Sequence, residues 1–428
     1  MNELVHADQL RGHRVAVLGA GRSGIAAARL ASALGAQVVL ADNSFDLSPE
    51  IKDQARKHGW ELKSGEHSAE DFVDVQMIIL SPGVPKKRVR KFFPDTVQIF
   101  SELELASWFV SAPVIAITGT NGKTSTTMLV SHVLTKCGKT VFTGGNIGTP
   151  LSEFVLEGRR ADILVLEVSS FQLQNVSGFC PAVGVLLNFS ANHLDFHLNE
   201  DEYWQAKLNI FARQKEDNLA IVPFALHDSL HEAEFTRARK LYFVPRGAFN
   251  CPNLPGEHNQ SNMEAAFHAC RYFGIKEEEF NAALHDFKPP EHRQEVFLVR
   301  DGIRYVDDSK ATTVDALRAA LASFPAPIRL LAGGIFKGGD LRELRDVLRD
   351  KVTKVYLFGD SREFFEGAWR GTVELEWFPG LEEATRKAVD ESQKGDNILL
   401  SPATASFDLF SDYKQRGLAF KKTVKEAV

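Results

Sequence analysis

Residues 114–125 read VIAITGTNGKTS. Val114 to Ile117 is an apolar, β-branched run of the kind that forms a strand buried on both faces of a parallel sheet. It breaks into Thr118, Gly119, Thr120, Asn121, Gly122, Lys123 and Thr124, and a helical pattern runs from Ser125 to about Lys136. Strand, glycine turn, Lys-Thr and helix together make a phosphate cradle. The glycines let backbone N–H groups converge, and the helix N-terminus favours negative charge. Lys123 can reach terminal phosphates and the Thr124 hydroxyl can bind Mg²⁺. The common phosphate loop has four residues between its first glycine and the Gly-Lys pair. That earlier position is Ile117 here, so the match is to a shorter G-x-x-G-K-[ST] loop.

The chain around this loop has 428 residues, which predicts two or three domains. Hydrophobic content of 44% and charged content of 25% are those of an ordinary globular protein. A net charge of −6 gives no electrostatic case for nucleic acid or an anionic membrane. The opening MNELVHADQLRGHR is polar, not a signal peptide. No apolar run reaches the roughly 18 residues of a spanning helix, so no membrane span is predicted; a cytoplasmic protein is expected. Cys137, Cys180, Cys251 and Cys270 lack metal-like spacing and read as free thiols.

Upstream, strand Arg14–Leu18 runs into Gly19-Ala20-Gly21-Arg22-Ser23-Gly24, a helix ending near Gly35, and strand Gln37–Ala41 ending at Asp42. This is a G-x-G-x-x-G unit with an acid 18 residues beyond its last glycine. A nicotinamide cofactor, another nucleotide-like ligand and a purely structural turn all fit. No hydride-transfer machinery lies nearby, which favours the second. A strand over Asp74–Leu80 stops at Ser81-Pro82-Gly83-Val84-Pro85, a turn at the carboxyl end of the sheet, where open α/β sheets bind ligands. Lys86, Lys87, Arg88, Arg90 and Lys91 read as a solvated face, with attraction of an anionic substrate as the alternative. A short strand at Gln98–Phe100 and a helix Glu102–Phe109 lead out, placing a boundary near 103.

Downstream, strand Lys139–Phe142 leads to Thr143-Gly144-Gly145-Asn146-Ile147-Gly148, where Asn146 either bonds a phosphate or holds the turn. Strand Ile163–Leu166 ends on Glu167, the position of a Mg²⁺ ligand after a phosphate loop. Strand Val183–Leu187 precedes His193, and helical YWQAKLNIF places Lys207 fourteen residues further on. Lys123, Glu167, His193 and Lys207 are therefore expected on one side of the sheet. Further strands are predicted at Asn218–Val222 and Lys240–Val244, with a polar helix over ALHDSLHEAEFTRA between them. In GEHNQSN, before helix MEAAFHACRYFG, Asn259 and Asn262 can cap the helix or bond an adenine edge. Lys288-Pro289-Pro290 makes a hinge near 289.

Beyond it, a hairpin is predicted across Asp301-Gly302. Asp307-Asp308-Ser309-Lys310-Ala311-Thr312-Thr313 precedes helix VDALRAALASF. Strand Ile328–Ala332 ends in Gly333-Gly334-Ile335-Phe336-Lys337-Gly338-Gly339-Asp340, an anion-binding loop of four glycines around one lysine. Strands Val352–Phe358 and Asn397–Leu400 follow, the last ending in Ser401-Pro402-Ala403-Thr404-Ala405-Ser406-Phe407-Asp408. The expected class is α/β in three domains: a Rossmann-like domain over 1–103, a P-loop ATPase-like, mostly parallel sheet over 104–288, and a second Rossmann-like domain over 289–428.

GTNGKTS, GGNIG, EVSSFQL, NFSANHLDFH, the YWQAK lysine, GEHNQSN, HR, DDSKATT, GGIFKGGD and SPATASFDLFSDYKQRG occur in this order across almost the whole chain. Together they resemble the Mur ligases of bacterial cell-wall synthesis. Folylpolyglutamate synthase shares the central and C-terminal plan but lacks the first domain. The resemblance implies an ATP- and Mg²⁺-dependent amide ligase, closest to the branch that joins D-glutamate to UDP-N-acetylmuramoyl-L-alanine through an acyl phosphate.

It also implies residue roles. The uridine nucleotide, not NAD, would lie in the first domain near Arg22, Ser23, Asn43, Ser44 and Ser81 to Gly83. Gly119 to Ser125 would hold ATP phosphates, with Lys123 on the β- and γ-phosphates. Thr124 and Glu167 would hold one Mg²⁺ and His193 a second. Lys207 matches a lysine carbamylated in the family, a change that turns a cation into a carboxylate-like metal ligand. Asn146 would position substrate. Asn259 and Asn262 would meet adenine, Arg293 an ATP phosphate and Asp308 the ribose. Lys310, Thr312, Lys337, Ser406 and Phe407 would surround D-glutamate, with Tyr413 beside them. A monomer and domain closure over the acyl phosphate are expected. Three departures from the family pattern stand out: Asn43-Ser44 after Asp42, Asn192 before His193 where an aspartate is common, and Phe196-His197 for the usual Arg-Tyr. A dehydrogenase and a nucleotide-dependent switch are the competing classes.

Overall fold

A computed structural model of the chain describes residues 10–190, 196–231, 234–254 and 256–428. Its strands form three sheets. The first is wholly parallel, in the order β3-β2-β1-β4-β5, from β1 (Arg14–Leu18), β2 (Gln37–Asp42), β3 (Glu61–Ser64), β4 (Met77–Leu80) and β5 (Gln98–Ser101). The second contains β6 (Val114–Thr118), β7 (Val141–Gly145), β8 (Ile163–Glu167), β9 (Val183–Leu186), β10 (Leu219–Pro223) and β11 (Arg239–Phe243). Their order is β11-β10-β9-β6-β8-β7, again all parallel. The third contains β12 (Glu295–Arg300), β13 (Ile303–Asp307), β14 (Ile328–Gly333), β15 (Val352–Phe358), β16 (Glu374–Phe378) and β17 (Asn397–Leu400). It runs β12-β13-β17-β14-β15-β16, with only the β12–β13 hairpin antiparallel.

These sheets fall into two compact units, Met1–Arg246 with Asn262–Ala283 and Gly247–Ser261 with Leu284–Val428. The first unit carries the first two sheets and the second unit the third. In the first unit, β6 lies between β9 and β8 with all five residues buried. Its Ile115 and Ile117 are fully covered, each stabilising the core by about 1.5–3 kcal/mol. The strand order reverses at β1/β4 and around β6, so a crevice opens past the carboxyl ends of those strands.

The helix Glu102–Ser107 fastens the first sheet to the second. Glu104 is 1% exposed, and its carboxylate accepts hydrogen bonds from the backbone N–H groups of Ser177, Gly178 and Phe179 and from Trp108 Nε1, at 2.8–3.0 Å. Glu102 Oε1 accepts from Ser152 N at 2.6 Å, and Arg29 pairs with Glu153 at 2.8 Å. Donors surround the buried Glu104 carboxylate, whereas burial outweighs the Ser152 contacts and pushes the Glu102 carboxyl up.

Some elements differ from expectation. β4 begins at Met77, because Asp74 has φ 60° and turns the chain out of the extended region. β7 starts at Val141 and continues through Gly144 and Gly145, which pair with Leu166 and Glu167. The polar helix expected between β10 and β11 is limited, among the described residues, to His227–His231 after a short 3₁₀ turn. Helix Glu257–Tyr272 starts early enough to contain Asn259 and Asn262, which therefore do not precede it as caps. All four cysteines are free. Among the described residues no helix is long and apolar enough to cross a membrane.

Candidate active site

The loop after β6 closes on itself. Gly122 takes φ 82° as N-cap of the helix Lys123–Lys136, with Lys123 and Thr124 in its first turn. Asn121 N donates to Asn188 Oδ1 at 2.9 Å and Asn188 Nδ2 returns a bond to Asn121 O at 3.1 Å. The Thr120 hydroxyl receives Ser190 N and lies 3.2 Å from the Tyr203 hydroxyl. Ser125 is buried. Asn262 meets the loop directly, since a side chain at Gly122 would strike its amide.

Three expected groups come together here. The Thr124 hydroxyl donates to Glu167 Oε2 at 2.6 Å, and Asn146 Nδ2 donates to Glu167 Oε1 at 2.8 Å. Asn146 N also bonds Glu167 O at 2.8 Å. Asn146 therefore holds its turn and reaches the site carboxylate as well. Lys123 Nζ donates to the carbonyls of Gly119 and Thr120, each at 2.9 Å, and Lys207 Nζ donates to the same Gly119 carbonyl at 2.9 Å. Lys207 is 1% exposed and sits 4.4 Å over the Tyr203 ring. Burial, and then the neighbouring Lys123 charge, push its amine well below the usual lysine range. Burial also pushes the Tyr203 phenol up to about 12. His193 and Asn192 lie outside the described residues. His197 is buried, with Nε2 3.0 Å from Ser170 Oγ.

The oxygen set of Thr124 and Glu167 suits a hard divalent cation such as Mg²⁺. One other group has metal-ligand character among the described residues: His292, Glu295 and Asp307, in the second unit. There the Lys421 ammonium lies 2.6 Å from Glu295 Oε2 and 3.5 Å from Asp307 Oδ2, so the acids are already matched by a cation.

At the carboxyl end of the first sheet, Asp42 Oδ2 accepts from Ala20 N at 2.7 Å and Oδ1 from Ser44 N at 2.9 Å. Gly24 packs against the Gly19 carbonyl so closely that any Cβ there would overlap it. A cavity of about 880 Å³ opens beside these turns, lined by Asp42, Asn43, Gly83, Phe45, His67, Lys87, Arg88 and Lys91 among others. Asn43 and Gly83 thus reach the cavity. Arg22 and Ser23 start the helix Arg22–Ala33, and Ser81 packs under Gly19, but none of these three lines the cavity. Of the basic run expected as a solvated face, Lys86, Lys87, Arg88 and Lys91 are exposed and Arg90 is half-buried on the carbonyls of Pro94 and Val97; Lys87, Arg88 and Lys91 also line this cavity. Phe45, 80% exposed, was not legible as a lining residue because one aromatic in a polar loop has no period.

In the second unit, Ile335 and Ala405 exchange backbone hydrogen bonds of 2.9 and 3.0 Å, joining the glycine-rich loop after β14 to the loop after β17. Lys337 Nζ sits 5.5 Å from the Phe407 ring centroid and Lys310 Nζ 5.2 Å from that of Tyr413. Ser406 is buried; Thr312 is half-buried before the helix Val314–Ser323. Asp308 accepts from Ser401 Oγ at 2.8 Å and Gln294 N at 3.1 Å, and its burial pushes the carboxyl up to about 7. Arg293 is half-buried, and Asn259 is buried in its helix. Arg416, which sequence reasoning missed, is fully buried. It donates to Ser309 Oγ and O and to Thr404 O at 2.8–3.0 Å, tying together the loops that carry Lys310 and Ser406.

A glycine-rich loop between a buried strand and a helix, facing a carboxylate at the end of the neighbouring strand, is the arrangement of the α/β nucleotide-binding P-loop enzymes. Residues 117–250 match the Mur ligase middle domain and residues 292–404 the Mur ligase, glutamate ligase domain. Residues 6–97 match the alanine dehydrogenase/PNT C-terminal domain. The chain is 44% identical over 428 residues to the UDP-N-acetylmuramoylalanine--D-glutamate ligase of Desulfovibrio desulfuricans, covering 97% of this chain and 98% of that one. It is 47% identical over 413 residues to the enzyme of the same name from Nitratidesulfovibrio vulgaris strain DP4, covering 96% and 95%. The chain belongs to the Mur ligase family, in the group of these D-glutamate ligases. Solved structures of MurF from Thermotoga maritima (TM-score 0.62, 18% identity, 98% of this chain and 96% of that) and Acinetobacter baumannii (0.61, 15%, 99% and 98%) share its fold.

Proposed function

We propose that the chain joins D-glutamate to UDP-N-acetylmuramoyl-L-alanine at the expense of ATP, in peptidoglycan precursor synthesis. The observation that carries this is identity of 44–47% over nearly its whole length to ligases of that name. The L-alanine carboxylate attacks the γ-phosphorus of ATP, giving an acyl phosphate and ADP. The D-glutamate amine then adds to the acyl carbon, loses a proton, and phosphate leaves as the amide forms.

Residue roles follow the same reading. Gly119 to Ser125 cradle phosphate, Lys123 balances the β- and γ-phosphate charge, and Asn259 and Asn262 meet the adenine. Arg293 meets a nucleotide phosphate and Asp308 the ribose. Thr124 and Glu167 would hold one Mg²⁺, and His193 with Lys207 a second; Mg²⁺ there neutralises phosphoryl charge. The depressed Lys207 amine supports its carbamylation, because only a neutral amine attacks carbon dioxide. Asn146 orients the acyl acceptor. Lys310, Thr312, Lys337, Ser406, Phe407 and Tyr413 take D-glutamate. The 880 Å³ cavity, with Asn43 and Gly83, takes the uridine nucleotide, assisted by Arg22, Ser23 and Ser81. Three domains divided near 103 and 288, a cytoplasmic location and a monomeric state complete the reading.

The test is phosphate release with Mg-ATP and UDP-N-acetylmuramoyl-L-alanine, comparing D-glutamate with L-glutamate, L-alanine, L-lysine and diaminopimelate. Release with D-glutamate alone, and a product of matching mass, supports it. Release with another amino acid moves the chain to a sister activity, and no release with any overturns the ligase reading.

A further inference from the structure

Arg293 is flanked by two non-glycine residues in the left-handed region, His292 at φ 63° and Gln294 at φ 47°. Such a turn persists only where its surroundings over-determine it. The surroundings here are specific. His292 N donates to Glu295 Oε2 at 2.9 Å, and Gln294 N to Asp308 Oδ1 at 3.1 Å. The His292 carbonyl accepts from Lys310 N at 3.1 Å, and its Nδ1 lies 2.6 Å from Asp307 Oδ2.

The C-terminal helix Tyr413–Ala427 closes this arrangement along one stripe, at spacings of four. The Tyr413 ring stands edge-on to His292 at 6.1 Å. Gly417 lies against the imidazole and Asp307, where any Cβ would overlap both. Lys421 is 13% exposed and pairs with Glu295 and Asp307. Its ammonium is the cation that lets two acids stand beside one imidazole.

We propose that Lys421 is a positioning residue: through Glu295 and Asp307 it locks the His292–Gln294 turn, and thereby fixes the presentation of Arg293 to the nucleotide phosphate. This rests on the phosphate assignment of Arg293 made above. Lys421 touches no substrate in this scheme. Without its charge, Glu295 and Asp307 repel each other, His292 N loses its acceptor, and the left-handed turn relaxes.

The test uses the full chain and its ligase reaction. Lys421→Met, which keeps the apolar stem, is expected to raise KM for ATP about tenfold, as a small misplacement of a binding group does, and to leave KM for the UDP-linked substrate unchanged. Lys421→Arg should restore it to within about twofold. In an Arg293→Ala background, Lys421→Met should add nothing to KM for ATP, because the two act through one contact. Amide hydrogen exchange at His292 and Gln294 should quicken in Lys421→Met. An unchanged KM for ATP, a full additive effect in the double variant, or unaltered exchange overturns the inference. An Arg293→Ala variant with normal KM for ATP overturns the phosphate assignment instead, and exchange then decides the turn-locking role by itself.

Discussion

Thr124 and Glu167 are joined by a hydrogen bond of 2.6 Å although 43 residues separate them in the chain. The bond spans two neighbouring parallel strands, because one residue follows the loop after β6 and the other closes β8. Its geometry makes the pair a ready oxygen site. Glu167→Gln keeps the shape and the Asn146 contact but removes the charge. It should lower turnover about 10²-fold or more and raise the Mg²⁺ concentration needed for half-maximal rate, as read by a Mg²⁺ titration at saturating ATP.

Lys207 leads to a different experiment. Its amine is held below the usual lysine range by burial and by Lys123, so the folded chain binds fewer protons there than the unfolded chain. This contribution to stability is present above the unfolded value and is lost as pH falls through the folded one. A neutral amine is also the form open to carbon dioxide. Enzyme stripped of bicarbonate should lose activity, which added bicarbonate restores; Lys207→Ala should be inactive and unresponsive.

Asp308 has the opposite linkage. Its folded value of about 7 lies above the ordinary aspartate value of 3.8, so the folded state holds the proton more tightly. Stability from this group is full below about 4 and is lost as pH rises toward and through 7. Calorimetry should show a higher Tm at pH 5.5 than at pH 8 for the unsubstituted chain. Asp308→Asn should flatten that difference.

Among the described residues Arg416 hydrogen-bonds no carboxylate, and burial brings its guanidinium down to about 10. Its planar fork reaches five acceptors, Ser309 Oγ and O, Thr404 O and Oγ1 and Gly333 O, against the three protons of an ammonium. Arg416→Lys should cost about 2–3 kcal/mol in urea unfolding and raise KM for D-glutamate, since the loops of Lys310 and Ser406 lose their common tie.

The sequence made the interior strands legible. Val114–Ile117 and Ile163–Leu166 are apolar runs buried throughout, Val352–Phe358 and Asn397–Leu400 are mostly apolar, and each matches its strand to within a residue. β3 (ELKS) and β16 (ELEWF) escaped notice because they are sheet edges, where charged residues replace the apolar signal. Asn259 and Asn262 read equally as caps or as adenine contacts; both sit inside the helix, which removes the cap reading, because tertiary packing overrides propensity. Thr124, Glu167 and Asn146 were readable because each stands at a strand end or glycine turn. His292, Asp307, Gly417 and Lys421 were not, since only the returning C-terminal helix brings them together.

The Glu104 carboxylate with its three backbone donors from residues 177–179 has a practical consequence for anyone recombining this gene with a relative's. A chimera that exchanges only the first hundred-odd residues inherits one half of a lock without its key. Crossovers should respect that pairing: Glu104 and the Ser177–Phe179 loop ought to travel together, and libraries that separate them should be enriched in insoluble clones.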